Sequence, residues 1–88
     1  MGGPLSSTYI STATTTTIKS GRGNLAKITI TETAAGAITV YDNTAGSGTV
    51  LAAFKASVVE GTYTFECRFQ TGLTIVTAGA SKLTVTWE

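Results

Sequence analysis

The ten residues 61–70, GTYTFECRFQ, constrain the fold more than any other part of the chain. Tyr63, Phe65, Cys67 and Phe69 fall on every second position, with Thr62, Thr64, Glu66, Arg68 and Gln70 between them. Successive side chains of a strand point to opposite faces, so this spacing predicts a strand with one apolar and one polar face. A helix would scatter the three aromatics around its circumference. An apolar strand face has to be covered, and the rest of the chain supplies further strands to do it.

Six other stretches read as strands. Residues 13–20, ATTTTIKS, have high β-propensity and almost no apolar side, which predicts an edge strand or extended arm. Gly21-Arg22-Gly23-Asn24 is a turn. In residues 25–33, LAKITITET, Ala26, Ile28 and Ile30 share a face. In residues 37–43, AITVYDN, Ile38 and Val40 point inward and Tyr41 outward. The short Ala35-Gly36 link between these two predicts a hairpin. Residues 50–56, VLAAFKA, place Val50, Ala52 and Phe54 on one face and Leu51 and Ala53 on the other, so this strand is expected to be covered on both sides, by a second subunit on the Leu51 face. Residues 73–78 and 82–88 complete the set, the latter with Leu83, Val85 and Trp87 inward.

Strands recurring every ~10 residues with turn signals between them are the pattern of an all-β protein. The expected fold is a small antiparallel β-sandwich of about seven strands, jelly-roll or Ig-like, over residues 13–88. Residues 1–12 are expected to form a flexible or docking N-terminal arm. The expected core is Ile28, Ile30, Ile38, Val40, Val50, Phe54, Tyr63, Phe65, Cys67, Phe69, Leu73, Ile75, Leu83, Val85 and Trp87.

The residue types present narrow the chemistry open to the chain. The chain has no histidine, which removes the commonest general base and metal ligand at neutral pH and every Ser-His or Cys-His nucleophile. Its acids are Glu32, Asp42, Glu60, Glu66 and Glu88, and no spacing pairs two of them across a cleft as glycoside hydrolysis requires. Asp42-Asn43-Thr44 begins like a calcium loop but continues into Ala-Gly-Ser. The Gly46/Gly48 loop lacks the Lys-Ser/Thr and the helix of a phosphate cradle. Cys67 has no partner for an internal disulfide and is expected to be a buried, inert thiol. No catalytic residue, metal site or cofactor is expected.

The charged share is 12%, about half the usual ~25%, and nineteen threonines fill the gap. With net charge +1 there is no electrostatic footprint for nucleic acid or an anionic membrane. Little repulsion opposes association on such a surface, so self-association is expected. The expected assembly contacts are Leu5, Tyr9 and Ile10 on the arm, outward-pointing Tyr41, and Leu51. No signal-peptide pattern and no apolar run of ~20 residues occurs, and folding in a reducing cytoplasm is expected. Tyr41 and Tyr63 could alternatively serve a carbohydrate-binding or adhesin-like module.

Thr39–Phe54, TVYDNTAGSGTVLAAF, and the closing run with Phe69, Gly72-Leu73, Ile75, Gly79 and Thr84-Val85 resemble small Thr-, Ala- and Gly-rich virion proteins of tailed bacteriophages. The resemblance spans about Leu25 to Glu88, with Ile75 where valine is common. It implies a non-enzymatic capsid decoration or cement protein at the capsid surface of the virion, made in the host cytoplasm. The partners it implies are further copies of the chain, a trimer above all, and a major capsid protein.

Overall fold

A computed structural model describes residues 6–88. They form eight strands: β1 (Ser6–Ile10), β2 (Thr15–Ser20), β3 (Gly23–Glu32), β4 (Ile38–Asp42), β5 (Thr49–Phe54), β6 (Gly61–Phe69), β7 (Gly72–Thr77) and β8 (Lys82–Trp87). The strands make two four-stranded antiparallel sheets, in the orders β1-β8-β3-β6 and β2-β7-β4-β5. The expected β-sandwich is therefore present, and among its variants the eight-strand, two-sheet order is that of a jelly roll.

Every connection except β4–β5 carries the chain from one sheet to the other. This overturns the expected hairpin of β3 with β4. The link between them is a corner, held by bonds to other parts of the chain. The Ala34 N–H donates to Ser81 Oγ at 3.1 Å, and the Ala34 carbonyl accepts from Ser57 N–H at 3.0 Å. Gly36 lies so close to the backbone of Ala78 and Gly79 that no Cβ fits there. Strands that each have one apolar face bury both faces by stacking across the sandwich, and the corner allows that.

The core lies between the sheets. Leu25, Ile28, Ile30, Ile38, Val40, Phe69, Leu73, Ile75, Leu83 and Val85 are fully enclosed, with Ile10, Phe54 and Val58 nearly so. At roughly 1.5–3 kcal/mol for each large apolar side chain, this set is the main source of stability. The Phe69 ring packs over its cross-strand partner Gly23; a Cβ at Gly23 would lie 2.7 Å from that ring, so the space it fills depends on the glycine.

Two bulges shift the alternation. Leu25 pairs with Trp87 and Ile28 with Val85, so β3 has one residue more than β8 over this span. Ala26 is the extra residue, and Leu25 rather than Ala26 joins Ile28 and Ile30 inside. In β5, Ala52 pairs with Val40 but Val50 pairs with Tyr41, making Leu51 the extra residue. Leu51 consequently packs against the core, and Val50, expected inside, is 51% exposed.

Candidate interaction surface

β5 and β6 are edge strands of opposite sheets on one flank. Phe54 of β5 closes the core there, with its ring edge-on to Tyr63 (centroids 5.0 Å apart) and Phe65 (5.8 Å). Among the described residues no strand lies beyond β6, so Tyr63, Phe65 and Cys67 point inward but remain half-exposed, although the alternation that defined them is intact. The 55–60 connection folds back over the Gly61 end. Val58 plugs the core, Tyr63 donates its hydroxyl proton to the Val59 carbonyl, and the Val59 side chain is left 70% exposed. Two of the three large exposed apolar residues among those described, Val50 and Val59, are on this flank.

The charges on the outer face of β6 are Glu66 and Arg68, both exposed. The ion pair found among the described residues is Lys82–Glu32, at 3.4 Å; neither Glu66 nor Arg68 takes part in one. Glu66 has a positive φ of 51°, at a further bulge where three steps of β6, Thr64 to Cys67, match two of β3, Lys27 to Leu25. Between the two, Cys67 is half-buried, and burial, with a smaller push from the Asp42 charge, raises its thiol pKa.

The expected contact residues are not brought together. Leu5 lies outside the described residues. Tyr9 is 59% exposed, but on β1, at the far edge of the sheet from β6. Ile10 is overturned as a contact: only 4% exposed, it pairs with Leu83 and faces the chain's own core. Leu51 is overturned too, because the bulge turns it inward and gives Val50 its exposed position. Tyr41 is half-buried on the outer face beside Thr74 and Val50, while Tyr63 lies inside the β6 edge, so the two tyrosines form no common platform. The arm expected over residues 1–12 is in part a strand, since Ser6–Ile10 pairs along its length with β8. Sequence reading missed Val50, Val59 and the Glu66/Arg68 pair. The available signal was a Glu-Cys-Arg triplet in a strand whose edge position was not visible.

The polar residues tested for chemistry hold loops in place. The Asp42 carboxylate accepts backbone N–H groups from Thr71 (2.8 Å), Gln70 (3.0 Å to either oxygen) and Gly72 (3.4 Å), tying the β6–β7 turn to the end of β4. These bonds, Thr71's foremost, lower its pKa below 3.8. Asn43 is turned into its own loop, donating from Nδ2 to the Ser47 carbonyl at 2.8 Å and accepting from Thr44 N–H at 2.8 Å. Glu66 and Glu88 line one shallow depression with Asn24, Leu25 and Ala26, a pairing of acids that their spacing did not suggest. Among the described residues, no three His, Cys, Asp or Glu side chains come together as a metal site would need.

No family model matches the chain, and no curated protein matches it. Among solved structures, it is similar to the Drosophila NLP core, whose crystal structure is described as giving insight into pentamer formation and histone binding. The similarity covers 98% of this chain and 97% of the other, with a TM-score of 0.56 at 9% identity, and is one of fold, a β-sandwich.

Proposed function

We propose that the protein is a non-enzymatic structural subunit that assembles with copies of itself, and that it decorates or cements the shell of a tailed phage. The open β5/β6 flank carries the proposal: Val50 and Val59 stand exposed, and Tyr63 and Phe65 are half-covered, on a chain with few charges to oppose association. The fold is compatible with assembly, since the similar NLP core is described in terms of a pentamer. Histone binding, the other property named for that protein, is not carried over, because a net charge of +1 provides no acidic excess for a basic partner. The shell setting rests on the sequence resemblance. A decoration protein acts by adding contact area between neighbouring shell subunits, and a trimer seated on a local threefold axis is the form that role favours.

Light scattering at micromolar concentration tests the assembly. A mass of three or more chains is expected, and a monomer at every concentration would refute it. Sedimentation with tailed-phage shells stripped of their own decoration protein tests the setting. Binding with a raised temperature of shell opening is expected; no binding would remove the capsid role while leaving self-assembly intact.

A further inference from the structure

We propose that two copies join through their β6 edges, antiparallel, about a twofold axis passing at Cys67. The inference rests on the self-assembly reading and gives it a register. The backbone of β6 is paired with β3 on one side, and on the other no strand follows among the described residues. An unpaired edge offers a row of N–H and C=O groups to a further strand.

The charges choose the partner and its direction. Antiparallel pairing centred on Cys67 sets Glu66 of one copy opposite Arg68 of the other, and Arg68 opposite Glu66. One contact thus gives two opposite-charge cross-strand pairs, as a self-complementary twofold interface requires. Parallel, in-register pairing would set Glu66 against Glu66 and Arg68 against Arg68. Both side chains are exposed and without an ion-pair partner among the described residues. On the inner side, the same register sets Cys67 against Cys67 and brings each half-exposed Phe65 opposite the other copy's Phe69, covering the apolar surface left at the end of the sheet. The bulge at Phe65–Glu66 bends the edge and confines the pairing to a short stretch, over which the long Glu and Arg side chains set the register.

Such a contact alone makes a dimer, and added to a trimer it makes a hexamer. Sedimentation equilibrium of the full chain, of Glu66→Arg, and of the double variant Glu66→Arg/Arg68→Glu tests it, with circular dichroism to establish that each is folded. Glu66→Arg places arginines opposite arginines. It is expected to halve the mass at a given concentration and weaken the twofold contact at least tenfold. The double variant restores the alternation of sign and is expected to return to within threefold of the starting affinity. An oligomer whose mass ignores Glu66→Arg, or one the double variant fails to restore, would overturn the β6 pairing and leave self-assembly standing by another surface. A monomer throughout would overturn both.

Discussion

Replacing Asp42 tests whether one carboxylate organises the corner where the sheets exchange the chain. Its oxygens accept three backbone N–H groups of the β6–β7 turn, at 2.8–3.4 Å. Hydrogen bonds to a charged group contribute about 1.5–3 kcal/mol each when water is kept out. Here water reaches the turn and replaces part of what is lost, so the two short bonds contribute about 1 kcal/mol each and the 3.4 Å bond little. Asp42→Ala is therefore expected to cost ~2 kcal/mol, and Asp42→Asn, which keeps one acceptor oxygen without the charge, ~1 kcal/mol. For a domain of this size each kcal/mol lowers Tm by ~4–8 °C. The pH dependence gives the sharper check. The folded-state pKa lies below the ordinary 3.8. The stabilisation from the charge is thus complete above the unfolded-state value and is lost as pH falls through the folded one. Urea melts of wild type and both variants should show a gap at neutral pH that narrows as the pH falls below the ordinary 3.8 and on through the lower folded-state value. A gap of the same size at both pH values would refute the charge as its cause, and no gap at neutral pH would refute the clamp.

Three further outcomes can be measured on purified protein. Thr77→Val should cost ~1–3 kcal/mol in urea melts, because the buried hydroxyl accepts from Thr14 N–H at 3.0 Å and donates to the Thr12 carbonyl at 2.6 Å, and valine leaves both without a partner. Gly72→Ala should cost ~1–3 kcal/mol, since a Cβ there would lie 2.9 Å from the carbonyl oxygens of both Asn43 and Lys19, and backbone on two sides cannot withdraw like a side chain. Val50→Asp and Val59→Asp should each change the stability of the single chain by less than ~0.5 kcal/mol while lowering the mass seen by light scattering; an unchanged mass would place assembly away from the β5/β6 flank.

Much of the fold was legible in the sequence because alternation is a local signal. Residues 61–70 and 82–88 each declare their inner face without help from any other strand, and Leu83, Val85 and Phe69 are buried as their phase predicts. The signal weakened where a neighbour decides the outcome. Ala26 and Leu51 are extra residues only relative to β8 and β4, so strict alternation assigned the wrong inner residue in both strands. Ser6–Ile10 has one buried apolar residue, Ile10, and owes its strand to the β8 ladder beside it. The candidate surface was the least legible part. Tyr63, Phe65 and Cys67 were read correctly as an inward face, but their half-exposure follows from β6 being the last strand in its sheet, which is a fact of topology. Asp42 likewise looked like the start of a metal loop because its true partners lie about thirty positions away.

The pairing of β1 with β8 also bears on how the molecule comes into being. Thr8 and Trp87, 79 positions apart, are joined by a side-chain hydrogen bond and lie in neighbouring strands. At a synthesis rate of about 5–20 residues per second, β1 waits roughly 4–16 s for the strand that covers its edge. The corners that pass the chain from sheet to sheet add to the delay, because each strand's neighbours are mostly distant in the sequence, and such topologies fold in milliseconds to seconds, slowly for so small a domain. For the last part of that interval, once β6 has been made, a nascent chain displays the Tyr63/Phe65 strand with few charges nearby to keep other chains away. High-level expression should therefore be limited by kinetic partitioning into aggregates, and slower translation or a lower growth temperature should raise the soluble yield without any change to the folded state.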